Sequence, residues 1–196
     1  MKYLISKSFF SFIYFASCSM VTYSISLIGN HVVEIILSAL MLIFCLYIAA
    51  VVGMRTGEDA LKVRHANDLE RREIIRTGRD IPLKLSEEYK GWKGFVMGVL
   101  ISAPTLILMV VHALVSVFGD GTNMVFGKLT DLVNMVFYWI INLFYQTETI
   151  GTVYYNLIFI AIFAAWFGFS YMLGARKVML QYESIERKHR QIHGDE

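Results

Sequence analysis

The chain has little of what usually gives soluble domains their charge, turns and chemistry. Only 17% of its 196 residues are charged, two are proline and two are cysteine. Soluble domains carry about 25% charged residues, so this composition argues against an ordinary water-facing surface. Cys18 and Cys45 stand alone, without a Cys-x-x-Cys pair or a Cys/His cluster, which removes the usual zinc and dithiol signatures. There is no Gly-x-Ser-x-Gly, no His-x-x-Glu-His and no glycine-rich phosphate loop. No nucleophile–base pair or metal set is therefore assembled in the sequence. The expectation is a non-enzymatic protein, with no catalytic residue, metal or cofactor assigned.

What the chain has is apolar sequence, 56% of its residues, gathered into blocks. Residues 9–28, 32–54, 95–118 and 154–175 each form a run of about 20, the length that crosses roughly 30 Å of hydrocarbon as a helix. Within hydrocarbon every backbone polar group needs an internal partner, and continuous apolar runs without period-two alternation select helices. The expected fold is an all-α integral membrane protein of four transmembrane helices, arranged as two antiparallel hairpins. Gly29-Asn30-His31 closes the first hairpin. The cations set the orientation: 17 of the 18 Lys and Arg fall before the first block, in 55–93, or after 175. With four spans all of these share one side, which the positive-inside rule makes the cytoplasm. Both termini, the charged loop 55–93 and the tail 176–196 are then cytoplasmic, and a bacterial inner membrane is the expected location.

A fifth apolar segment, 122–145, carries Lys128, Asp131, Asn134 and Asn142 and ends in an aromatic cluster. Lys128, Asp131, Tyr138, Asn142 and Tyr145 fall near one helical face; Phe126, Leu129, Val133, Phe137, Ile140 and Phe144 fall near the other. This reads as an amphipathic helix lying in the outer interface, with a re-entrant helix as the alternative.

The start of the chain has a competing reading. Phe15-Ala16-Ser17-Cys18 resembles a bacterial lipobox, which implies cleavage and lipidation at Cys18. Phe15 departs from the aliphatic residue usual there, and the apolar run continues to Ile28, as an uncleaved span would. A lipidated or redox membrane protein using Cys18 is the remote alternative. Cys18 and Cys45 otherwise read as small packing residues at matched depth. Glu87-Glu88 resembles the paired glutamates of CAAX-type membrane proteases, but it lies in the loop and only His112 is intramembrane.

The loop 55–93 holds ten cations and eight acids, a balance that argues against a nucleic-acid arm. Gly57 and Gly78, each preceded by Arg-Thr, read as helix-end punctuation. Between them a helix is expected that is polar all round, laced with i, i+4 pairs and free to meet a partner by charge. Ser86-Glu87-Glu88 is expected to cap the third span, with Trp92 and Lys93 anchoring its inner end. Anionic lipid headgroups are expected at Arg55, Lys90, Lys93, Arg176 and Lys177. Val52-Gly53-Met54-Arg55 and Leu173-Gly174-Ala175-Arg176 give each hairpin a similar inner exit, as a two-helix repeat would.

Two functional expectations follow. The first is a membrane accessory or scaffold subunit that docks a protein partner, or a second copy, through Arg64, Arg71, Arg72, Arg76, Arg187 and Arg190. The second is a small oligomeric channel or transporter subunit using Glu34 and His112, with His31 beside them, near the outer face. Gly94, Gly98 and Pro104 would serve the third span as a close-packing stripe and a kink.

Overall fold

A computed structural model describes residues 2–78, 82–118, 125–144 and 152–193. Among them the chain is helical, without a strand. The helices are α1 (Lys2–Ser26), α2 (His31–Thr77), α3 (Trp92–Ile101), α4 (Ala103–Phe118), α5 (Val125–Val133), α6 (Met135–Phe144) and α7 (Asn156–His193), with a 3-10 turn Thr152–Tyr155 before α7. α1, α2 and α7 are long and apolar enough to cross a membrane; α3 and α4 together make a fourth candidate, bent by 56°. Pro104 stands in the first turn after that bend, where its missing N–H leaves the Leu100 carbonyl without its usual helical donor.

α2 does not end at Gly57. It runs unbroken for 47 residues, about 70 Å at 1.5 Å per residue, and stops where the second glycine stands. Gly78 adopts φ 68° and donates its N–H to the Ile74 carbonyl, the left-handed cap that glycine accepts without Cβ strain. At the other end the Asn30 side chain accepts from the Val33 N–H. Gly57 has a different task. A Cβ there would collide with the backbone carbonyl of Tyr171, so its absence lets α2 and α7 touch backbone to backbone. The buried stripe of this stretch is Gly53, Thr56, Gly57, Ala60 and Asn67. The helix is therefore not polar all round: small residues form its inner face.

α2 and α7 run parallel. Their contacts advance in step, from Leu46–Trp166 through Glu58–Lys177 to His65–Tyr182. α3 crosses an adjoining face of α7 in the opposite sense, with Gly94 against Tyr171 and Gly98 against Ala164. A Cβ on Gly98 would stand 2.6 Å from the Ala164 Cα, the close approach that a Gly-x-x-x-Gly stripe permits. α1 packs on α2 and α3 and completes a core of Phe15, Cys18, Cys45, Met97, Ile101, Phe163 and Phe167.

The segment 125–144 is two helices broken at Asn134, not one amphipathic rod. In α5 the polar side faces inward: Thr130 and Asp131 are buried while Val125 and Leu129 are exposed. In α6 the apolar side faces inward, and Phe137 joins the core against Phe15, Phe159 and Phe163. The break lets one short segment present a polar face to one neighbour and an apolar face to another. The Tyr138, Asn142 and Tyr145 side chains of the expected polar face lie outside the described residues, as do residues 122–124.

Candidate functional site

Two groups of buried polar side chains bond across the fold, one at each end of the bundle. At the end where α2 begins, Asn156 opens α7 and is fully buried. Its amide nitrogen donates to Asp131 Oδ1 at 2.9 Å, and its oxygen accepts from Asn134 Nδ2 at 2.6 Å. Ser19 of α1 donates to the Val133 carbonyl at 2.7 Å, one residue before the break at Asn134. A carboxylate and two amides thus tie α5, α6 and α7 together within apolar surroundings, where an unbonded polar group would be costly. The helical pattern of the segment puts Asp131 on a water-facing side and assigns Asn134 to no face; the fold buries both. No spacing in the sequence announces the set, because Asn156 follows Asn134 by 22 residues.

His112 lies in α4, 1% exposed, with its ring 6.4 Å from that of Tyr154. Among the described residues neither ring nitrogen has a hydrogen-bond partner. Glu34 lies elsewhere, in the first turn of α2, with Oε2 3.7 Å from His31 Nδ1. Its side chain is 24% exposed and that of His31 81%, so this pair belongs to the surface. Among the described residues no hydrogen bond or ion pair joins Glu34 to His112.

At the opposite end a clamp holds the return of the chain after α2. Glu88 is buried and its Oε1 accepts from Asn67 Nδ2 at 2.8 Å and from Arg71 Nη2 at 2.7 Å. Arg71 also bonds Asp68 at 2.7 Å. The Lys84 N–H reaches Asn67 Oδ1, and the Tyr89 N–H reaches the Ala60 carbonyl at 3.0 Å. Lys93 is buried and donates to the carbonyls of Ser86 and Glu88 at 2.9 and 2.6 Å. These bonds correct two expectations. Ser86-Glu87-Glu88 does not cap the third span, whose cap position is Gly91 without a side-chain bond. Lys93 is engaged with carbonyls inside the protein, which removes it from the lipid-facing cations.

The expected docking arginines differ in availability. Arg71 is committed to Glu88 and Asp68, whereas Arg72 and Arg76 are exposed on the distal part of α2. Arg64 lines a hollow of about 260 Å³ between α2 and α7 with His65, Asp68, Tyr182, Glu183 and Glu186; His65 stacks on Tyr182 at 4.4 Å. Arg187 stands 3.9 Å from Glu183 and is exposed. The Arg190 side chain lies outside the described residues.

Cys18 and Cys45 are free, buried and line one small cavity with Phe15, Ile101 and Phe163. Among the described residues no group of three His, Cys, Asp or Glu side chains is gathered to hold a metal ion.

The class defined so far is an all-helical protein with three to four helices fit to cross a membrane. Comparison with family models, curated proteins and solved structures finds no match.

Proposed function

We propose that the chain is an integral membrane accessory or scaffold subunit, with both termini cytoplasmic, that docks a protein partner through the distal halves of α2 and α7. A bacterial inner membrane is the location that fits its cation distribution. One observation carries the reading. The two helices continue past their apolar spans as a packed pair whose outward side chains mix cations with apolar residues. Arg72 and Arg76 lie beside Leu69 and Ile75, the last 85% exposed; Leu180 and Ile185 are exposed on α7. Large apolar groups beside arginines that form no ion pair among the described residues suit a partner surface of acidic and apolar character.

The test is a photo-crosslinking amino acid placed at Ile75 in the full-length protein in its native membrane. A discrete heterologous adduct, or a homodimer adduct, is expected, and it should be lost when Arg72 and Arg76 are both changed to Glu. Arg71 is left intact because its reversal would break the Glu88 clamp and confuse the result. No adduct, together with a monomeric native mass in mild detergent, would refute the docking proposal.

A second reading, a small oligomeric channel or transporter subunit, draws on the other end of the bundle. It is supported by the buried Asp131–Asn134–Asn156 set and by His112, unbonded among the described residues, near helices broken at Ser102 and Asn134. Discontinuous helices and ionisable groups at membrane depth are features of transport proteins. In this reading 125–144 is a re-entrant pair. Ion flux in proteoliposomes, abolished by Asp131→Asn, is the expected result; absence of flux would exclude it.

A further inference from the structure

Where α1 and α2 meet at their charged ends, a hollow of about 290 Å³ opens, lined by Lys7, Phe10, Ser11, Tyr14, Arg55 and Asp59 among others. It stands where the chain changes character. Lys7 is followed closely by Phe9 and Phe10, and Arg55 follows the apolar stretch ending in Val51, Val52, Gly53 and Met54. Other cations at this end of the bundle are engaged within the protein: Lys177 with Glu58 at 2.9 Å, Arg71 with Glu88, and Lys93 with two carbonyls. Among the described residues, the side chains of Lys7, Arg55 and Asp59 form no hydrogen bond or ion pair. Three charged groups thus surround one space without satisfying one another, and together they leave one net positive charge.

The deeper wall is apolar. A second cavity shares Ser11, Tyr14 and Val52 with the first and leads on past Ile48 and Ala49 to Cys18 and Cys45. A small free anion could use only the charged mouth. An occupant that uses both parts has an anionic head and a hydrocarbon body.

We propose that this groove binds one anionic glycerophospholipid. Its phosphodiester oxygens accept from Lys7 and Arg55, and a hydroxyl of a glycerol headgroup donates to Asp59. The acyl chain lies along Phe10, Tyr14 and Val52. One negative charge on the lipid balances the net charge of the hollow, and the position at the apolar boundary is where lipid phosphates stand. The site goes beyond the docking proposal and does not depend on it, because it uses neither Arg72 nor the distal helices.

The experiment uses the delipidated full-length protein in neutral detergent, with thermal unfolding followed against added lipid. Dihexanoyl phosphatidylglycerol is expected to raise Tm saturably, while dihexanoyl phosphatidylcholine and glycerol 1-phosphate at the same concentrations do not. Lys7→Gln and Arg55→Gln should each weaken the response about fivefold; both side chains are exposed, so neither change threatens the fold. Ser11→Trp fills the hollow while keeping both cations, and should abolish the response. Arg72→Gln should leave it unchanged. Equal stabilisation by the zwitterionic lipid, equal action of the headgroup alone, or an unaltered response in both cation variants would each overturn the proposal.

Discussion

Replacing Gly57 with alanine gives a prediction whose sign separates two views of the same residue. On an exposed helix, alanine in place of glycine stabilises by about 1 kcal/mol, because glycine loses more backbone entropy on folding. At Gly57 the added methyl collides with the Tyr171 carbonyl oxygen, and stands 2.9 and 3.2 Å from its carbonyl carbon and Cα. These are backbone atoms, so no rotamer change relieves the clash and the helices must part. Separation also loosens Gly174 against Met54 and the Trp166 bond to the Leu46 carbonyl. Overpacking of this kind costs about 1–3 kcal/mol, sometimes more. The rigid neighbour places Gly57→Ala at the upper end, about 3 kcal/mol before the propensity gain and about 2 kcal/mol after it. For a chain of this size that is a fall in Tm of roughly 4–8 °C. Thermal unfolding in a fixed detergent, followed by far-UV circular dichroism, is the assay. Gly53→Ala is the internal comparison. Its Cβ would meet Ser170 Cβ at 3.0 Å and the Phe167 carbonyl at 3.1 Å, so a smaller effect, close to zero net, is expected. A Gly57→Ala protein as stable as the parent, or more so, would refute the backbone-contact argument.

Two further expectations concern the other end of the bundle. Asn156→Ala removes the group that joins Asp131 to Asn134 and takes one hydrogen bond from each in buried surroundings, so a loss of about 2–3 kcal/mol is expected. A Tm within 1 °C of the parent, roughly the shift from under 0.5 kcal/mol, would show the set is not structural. His112→Leu acts in the opposite direction. It exchanges a buried imidazole that has no hydrogen-bond partner among the described residues for an apolar side chain of similar volume, and stability should hold or rise by about 1 kcal/mol. A marked fall in Tm would mean that the imidazole has a bonding partner in the working protein.

The spans were legible because hydrocarbon imposes a length and an apolar composition that one sequence displays directly. The helix end at Gly78 was legible too, since only the local backbone decides it. Gly57 misled for the converse reason: the same Arg-Thr-Gly text occurs in both places, and only α7 distinguishes a close-packed glycine from a cap. The inner face of α2 escaped detection because it consists of Gly53, Thr56, Gly57, Ala60 and Asn67, and a search for large apolar residues passes over small ones. Arg71 looked like its neighbour Arg72 until Glu88 was brought across to it. Of the channel candidates, Glu34 and His31 sit together as an i, i+3 spacing allows, but no periodicity could tell that His112 would be buried without a hydrogen-bond partner among the described residues.

The sequence alone therefore pointed to an all-helical chain with four stretches fit for a membrane, of which the structure supports three to four, and to cations concentrated beside them. Those properties depend on local composition, backbone bonding and length. The tertiary structure decided that α2 and α7 lie parallel in backbone contact, that α5 turns its polar face inward, and which charges are spent on internal bonds. Lys7 and Arg55 come to face one hollow for the same reason: two helices closed by a short turn bring together residues far apart in the chain. Such pairings depend on which surfaces meet, and a linear pattern records only what each surface offers.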